Sequence, residues 1–421
     1  MVDPTTIDSD TELMFLTIGN HGGITEWKVD YKYPDQVSPF KPAMNSELAE
    51  KHFIDASFSV PIKPKDQPTL LITAVDGTVT VYDTEKKKFA DNGQKRGPLR
   101  PEALGCITCS FGYVVCASER GWVLRYPYKG ENFQAPEDDL IERIEVPGGH
   151  GVVSLSMDSQ NREGLVGTTE GAIYYIDFNN PENIVPLVRK LTSCLEKASC
   201  LKMVPDVTNT VMIAASGEGN GAVKLYTSVN LDQIHHFNQG EQPGSEPGPV
   251  ACVLMTTRAH KPKNKSSPKV WNMVVYKSGF FKLINIAKLK EDTWGNLPVL
   301  LGEEITCGSF SPQCHNFALG TSTGAIFLGH YMKDTTPDKS RSVVNRQPAQ
   351  LQLRVCRIDN LVKGTANAVT SVNMSTFTPE GKILVAFDDG RVRMWSTVFR
   401  KSDRQRLQGS GNKELCDMGP V

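Results

Sequence analysis

The chain has 421 residues, 39% hydrophobic and 22% charged, with 46 Lys and Arg against 47 Asp and Glu for a formal net charge of −1. That balance describes a folded globular protein and excludes a disordered chain or a bulk-cationic nucleic-acid binder. No apolar stretch approaches the ~18 to 20 residues that cross a bilayer, and the ten cysteines show no even framework of close spacings, so free thiols in a reducing compartment are expected. The opening MVDPTTIDSDTELMF has neither a secretory nor a transit pattern, which predicts a cytoplasmic location with the nucleus as the alternative.

Taken in chain order, one short pattern recurs: a run of strand formers, a glycine, then an alternating apolar run. Its copies are HGGITEWK at Gly22, DGTVTVYD at Gly77, RGWVLRYP at Gly121, EGAIYYID at Gly171, NGAVKLYT at Gly221, SGFFKLIN at Gly279, TGAIFLGH at Gly324 and DGRVRMWS at Gly390. Each reads as a β-hairpin whose glycine supplies the positive φ of a tight turn. From the second copy onward an apolar segment precedes the hairpin: HFIDASFSV, GCITCSF, GHGVVSLSM, KASCLKMV, GPVACVLM, EEITCGSF and AVTSVNMSTF. These are expected as innermost strands, and the first copy has no room for one before Leu13. Three or four strands about every 50 residues, with almost no helical periodicity, predict an all-β propeller, in which radial repetition leaves only short sheet edges.

DGTVTVYD and DGRVRMWS resemble the turn and third strand of a WD40 repeat, and GHGVVSLSM resembles its Gly-His entry. The resemblance covers residues 13 to 398, with few marker residues. Trp27 and Trp395 hold the family's tryptophan position, Tyr82, Tyr126, Tyr226 and Ile176 stand there in other units, and His150 is the one clear Gly-His. It implies a single WD40-type β-propeller over residues 1–400 with about four antiparallel strands per blade. Eight blades are favoured by the hairpin count, seven are the alternative, and an open ring completed by another chain is a third arrangement. Residues 401–421 are expected as a flexible polar tail. The polar network that the family builds from His, Asp, Ser and Trp is expected to be complete in few blades.

Several stretches mimic catalytic motifs. GTSTG, Gly320 to Gly324, matches a nucleophile elbow, but that motif needs a strand-to-helix turn and this one leads into a strand, so Ser322 is expected to bond the backbone locally. The pair Cys106 and Cys109 has metal spacing without a second pair nearby, and residues three apart on a strand face opposite sides. Together with Cys200, Cys252 and Cys307 these are expected as packed thiols of inner strands. His235 and His236 are adjacent on a strand and cannot share an ion; Asp388 and Asp389 lie in a turn. No catalytic residue, metal site or cofactor is expected.

The insertions carry more information. TTRAHKPKNKSSPK follows the first strand of the sixth unit, MKDTTPDKSRSVVNRQPAQ the third strand of the seventh, and FRKSDRQRLQ the third strand of the eighth. By the resemblance all three project from one face. They present Arg258, Lys261, Lys263, Lys265, Lys269, Lys333, Lys339, Arg341, Arg346, Arg400, Lys401, Arg404 and Arg406. Such a basic arc is expected to dock an acidic surface such as a tubulin tail, and nucleic acid less so because stacking aromatics are sparse. The eroded repeats are similar to those of propellers in ciliary and flagellar axonemes. The expectation is therefore a non-enzymatic scaffold in a larger assembly, with other complex subunits as partners and the cilium or cytoskeleton as its place. A nuclear or RNA-processing adaptor and a propeller-hosted hydrolase are the alternatives.

Overall fold

The computed structural model describes residues 12–18, 24–30, 38–39, 52–59, 69–84, 86, 88–89, 104–110, 112–128, 141–158, 160–178, 187–193, 200–203, 212–216, 223–227, 231–237, 249–255, 271–285, 290–310, 316–333, 351–358, 368–375, 381–389, 391–397 and 412–420. The chain divides into two compact units, Met1–Pro243 with Val421, and Gly244–Pro420.

The first unit holds five antiparallel sheets. Sheet 1 comprises β1 (Glu12–Ile18), β2 (Ile24–Asp30) and β3 (Ser38–Pro39). Sheet 2 comprises β4 (Phe53–Phe58), β5 (Thr69–Ala74), β6 (Val79–Asp83) and β7 (Lys88–Phe89), and sheet 3 β8 (Leu104–Ser110), β9 (Tyr113–Ser118), β10 (Trp122–Pro127) and β11 (Glu142–Glu145). Sheet 4 comprises β12 (Val152–Met157), β13 (Glu163–Thr168), β14 (Ala172–Asp177) and β15 (Leu187–Ser193), and sheet 5 β16 (Cys200–Met203), β17 (Met212–Ser216), β18 (Val223–Thr227) and β19 (Gln233–Phe237).

The second unit holds three sheets. Sheet 6 comprises β20 (Val250–Met255), β21 (Trp271–Tyr276), β22 (Phe280–Asn285) and β23 (Lys290–Asn296). Sheet 7 comprises β24 (Ile305–Phe310), β25 (Asn316–Thr321), β26 (Ile326–Lys333) and β27 (Leu351–Ile358). Sheet 8 comprises β28 (Val369–Ser375), β29 (Gly381–Phe387), β30 (Arg391–Thr397) and β31 (Asn412–Pro420). Each glycine-centred pattern of the sequence thus has its own sheet among the described residues. Among the described residues sheet 1 has three strands, with β1 standing directly before the glycine turn. Sheet 8 draws its outer strand from within the stretch read from sequence as a polar tail.

Within each unit the sheets stack in chain order, as propeller blades do. The apolar core lies between neighbouring sheets and not within them. Leu71, Val81 and Tyr126 are buried together between sheets 2 and 3, Val115, Val166 and Ile176 between sheets 3 and 4, and Leu319, Phe327 and Met273 between sheets 6 and 7. Strands buried on both faces account for the near-continuous apolar runs LLITA and YVVCAS.

Six inner strands share an irregularity. The ladder to the second strand skips one residue between Phe53 and Asp55, Leu104 and Cys106, Val152 and Ser154, Val250 and Cys252, Ile305 and Cys307, and Val369 and Ser371. A bulge of this kind adds local twist, which lets short inner strands fan away from one another. Polar side chains then tie one inner strand to the next. Asp55 accepts the Ile107 N–H at 2.9 Å and Ser57 the Cys109 N–H at 3.0 Å, and Ser156 accepts the Met203 N–H at 2.8 Å. Burial pushes the Asp55 carboxyl up from its ordinary value while the N–H groups of Ile107 and Ala56 pull it back.

The tryptophan positions behave as their side chains allow. Tyr82 donates to Glu26 of sheet 1 at 3.0 Å, and burial followed by the Glu26 charge raises the phenol well above its usual range. Ile176 is 0% exposed and Glu170 lies exposed at the turn, so sheet 4 is held by apolar packing. Full burial of such a side chain is worth about 1.5–3 kcal/mol, against about 0.5–1.5 kcal/mol net for one hydrogen bond.

Candidate functional site

Within each unit the two ends of the stacked sheets are built differently. At one end lie the hairpins between second and third strands. Gly77, Gly121, Gly171, Gly279 and Gly324 have φ of 81°, 86°, 78°, 85° and 84°. Each donates its N–H to the last residue of the preceding strand, as Gly171 does to Thr168 at 3.0 Å. Ser118, Thr168 and Thr321 close their turns from the side, accepting the N–H of Trp122, Ala172 and Ala325 at 3.1, 3.0 and 3.0 Å. Gly22, Gly221 and Gly390 lie outside the described residues, although the strands flanking them pair as hairpins.

Sheet 7 carries a polar network at this end that sequence reasoning missed. Gly302 and Glu303 stand two residues before β24 as Gly149 and His150 stand before β12, so Glu303 occupies the slot of the Gly-His histidine. Thr321 and Thr323, at the end of β25 and in the hairpin after it, lie within hydrogen-bonding distance of each other at 3.2 Å. The Glu303 carboxylate receives Arg357 Nη1 at 2.6 Å and Nη2 at 3.1 Å, the Thr323 hydroxyl, and the Leu300 N–H at 2.9 Å. Burial alone would push this carboxyl up; Arg357 foremost, then the Leu300 N–H and the threonine hydroxyls, outweigh it and hold the group at about 2. Glu303, Thr321, Thr323 and Arg357 thus form one polar network, with Arg357 supplied by the outer strand β27.

At the opposite end lie the connections between first and second and between third and fourth strands. In the second unit the inner strands start side by side. Lys277 donates to the Pro249 carbonyl and accepts the Ile305 N–H, both at 2.9 Å, and the Thr306 hydroxyl reaches the Val369 carbonyl at 2.6 Å. With β20, β24 and β28 running the same way, the connections leaving Met255, Lys333 and Thr397 depart from one end of sheets 6, 7 and 8. Lys333 closes β26, its backbone opposite Leu351. Arg258, Lys261, Lys263, Lys265, Lys269, Lys339, Arg341, Arg346, Arg400, Lys401, Arg404 and Arg406 lie outside the described residues.

The catalytic look-alikes resolve into structure. Ser322 sits in the hairpin between β25 and β26; it bonds not within its own turn but to Glu304, accepting that N–H on Oγ at 2.9 Å and donating its own N–H to the Glu304 carbonyl at 2.8 Å. Cys106 packs between sheets 3 and 4 and Cys109 between sheets 2 and 3, on opposite faces of β8. Burial pushes the Cys116 thiol up to about 12, so it is not a nucleophile at neutral pH. His235 and His236 lie on the outer strand β19, opposite Leu225 and Lys224. Among the described residues no three His, Cys, Asp or Glu side chains are grouped to hold a metal.

Sequence reasoning also missed Arg125 on β10. Only 3% exposed, it pairs with Glu142 at 3.0 Å and lies over the rings of Tyr113 at 4.0 Å and Phe178 at 5.4 Å, wedged between sheets 3 and 4. Asn161 is likewise buried, at φ 53°, and its Nδ2 donates to the Tyr113 carbonyl of the preceding sheet at 3.1 Å.

Comparison with known proteins agrees with this architecture. The Dos1 propeller superposes with a TM-score of 0.55 at 11% identity, covering 88% of this chain and 85% of that one. Sqt1 from Saccharomyces cerevisiae superposes with a TM-score of 0.59 at 15% identity, covering 86% and 84%. The fold is a β-propeller of antiparallel sheets, four-stranded in seven of the eight among the described residues. No protein-family model and no curated protein sequence matches the chain.

Proposed function

We propose that this protein is a non-enzymatic WD40-like scaffold that joins other proteins into an assembly, docking acidic surfaces through the insertion end of sheets 6 to 8. The observation that carries the reading is strand order: connections from three consecutive sheets leave one end, and they carry twelve of the thirteen Lys and Arg of the basic arc, with Lys333 at the end of β26 the thirteenth. Charges gathered at one face steer acidic partners even when the net charge is near zero. The reading takes the eight sheets from β1 to β31 as blades of one propeller, with Asn412–Pro420 as the outer strand of the eighth. Its finer form places the protein in the cytoplasm, as a microtubule-associated subunit of a cilium or flagellum axoneme with the acidic tails of tubulin as the docked surface.

Co-sedimentation of the full chain with microtubules, with microtubules stripped of their tails by protease, and with single-stranded RNA tests this. Tail-dependent binding that weakens with salt and is lost on charge reversal of the insertion at 256–270 is expected. Salt-sensitive RNA binding without microtubule binding would instead favour the nuclear adaptor.

A further inference from the structure

The opposite end of the second unit presents a different kind of surface. Between β23 and β24 the chain crosses the sheet 6 hairpin: Leu297 donates to the Gly279 carbonyl at 3.0 Å, and Val299 packs against the bare Cα of Gly279. The chain then makes a turn at 300–303. Leu300 is 60% exposed and Leu301 106%, whereas most described large apolar side chains are buried. A single exposed leucine needs no explanation, and a surface turn accepts polar residues without cost. Two adjacent leucines at a turn tip, held as these are, do call for one.

The turn is held at every joint. Glu303 donates its N–H to the Leu300 carbonyl at 3.0 Å, the Leu300 N–H donates to Glu303 Oε2 at 2.9 Å, and Gly302 takes φ 79°. Glu303 is itself clamped by Arg357. A buried ion pair carries a desolvation cost that an apolar contact would avoid, so it is weak as a device for stability alone. What it does here is hold the backbone that carries two leucines in one outward course, which lowers the ordering entropy that a mobile loop loses on binding.

From this we infer that the Leu300–Leu301 turn is a docking knob for a folded protein partner, seating in an apolar pocket with a cationic rim. The knob is convex, so its complement is concave. The rim charge follows from Glu304, which is exposed at the foot of the turn, has its backbone tied to Ser322, and meets no cation among the described residues. A basic side chain on the partner complements that carboxylate, whereas an anionic membrane surface is repelled by it. The knob lies at the end of the sheets away from the basic insertions, so the two surfaces can act independently.

The test uses the full chain expressed in cells with photoreactive benzoylphenylalanine in place of Leu301. The adduct peptide is identified, and its parent protein is purified and titrated. The expected result is a cross-linked segment lining an apolar pocket beside Lys or Arg. Affinity should fall at least tenfold for Leu300→Ser/Leu301→Ser and several-fold, with inverted salt dependence, for Glu304→Lys. Both variants change exposed side chains, and an unchanged near-ultraviolet circular dichroism spectrum checks their fold. A chain with the 256–270 insertion charge-reversed should keep this affinity, which separates failure here from failure of the basic-arc reading. The inference is overturned if no protein adduct forms, if the partner binds the double leucine variant within twofold of wild type, or if the leucines instead drive sedimentation with phosphatidylserine vesicles.

Discussion

Replacing Glu303 by glutamine keeps the shape of the side chain and removes its charge, leaving Arg357 without its counterion. A carboxyl held at about 2 in place of its ordinary 4.5 places about 3 kcal/mol of stability in the ionised form, at ~1.36 kcal/mol for each tenfold change in proton affinity. This agrees with the ~3–5 kcal/mol lost when one partner of a buried pair is removed. Because the folded-state value is depressed, the contribution is complete above about pH 4.5 and is lost as pH falls toward about 2. Urea unfolding of the transition that includes the second unit, followed by tryptophan fluorescence at pH 7, 5, 4 and 3, should show Glu303→Gln about 3 kcal/mol less stable at pH 7, with the gap narrowing steadily below pH 4.5. Amide exchange at Leu300 should quicken in the variant, since that N–H donates to Glu303. A cost under about 1 kcal/mol at pH 7, or the same gap at pH 3 as at pH 7, would refute the account of the network.

Three further outcomes are expected. Gly279→Ala should cost about 2–3 kcal/mol, combining the left-handed backbone with a Cβ built 2.4 Å from Val299 Cγ2, whereas Gly302→Ala, at similar φ but facing open space, should cost only about 1 kcal/mol; denaturant midpoints compare the two. In the native protein Cys106, Cys109 and Cys116 should resist iodoacetamide at pH 8 and label only on unfolding, as peptide mass spectrometry would show. Arg125→Met should be tolerated better than Arg125→Ala by about 1–2 kcal/mol in urea melts, because the aliphatic chain still fills the slot between Tyr113 and Phe178.

The hairpins were legible in the sequence because glycine is the cheapest residue at positive φ, and each turn needs one. The opposite orientations of Cys106 and Cys109 followed from the two-residue period of a strand. The inner-strand bulges were hidden, since an extra residue shifts that period without changing which residue types appear. The Glu303 network was hidden for another reason. Its slot could have been found by aligning Gly302–Glu303 with Gly149–His150, but Arg357 lies 54 residues further along and only tertiary packing brings it back. Leu300 and Leu301 read as the end of an apolar run, and nothing local shows that the chain has already left the sheet. The strand Asn412–Pro420 was unreadable because NKELCDMGP contains no β-branched residue; the open edge of β30 dictates its pairing.

The recurrent bulge has a consequence for how such a chain can be probed. In six inner strands the skipped residue has no partner across the ladder, and the six occupants are Ile54, Gly105, Val153, Ala251, Thr306 and Thr370. Their types run from no side chain to a branched one, and their surroundings differ as well: a Cβ on Gly105 would meet the Val152 carbonyl at 3.3 Å, the Thr306 hydroxyl bonds Val369, and Ile54 is exposed. Six of the eight sheets thus carry, beside the innermost ladder, one residue that the pairing itself does not use. Paired spin labels at the exposed Thr306 and Thr370, at the loss of the Thr306–Val369 bond, would turn that unpaired position into a ruler for the spacing of neighbouring sheets.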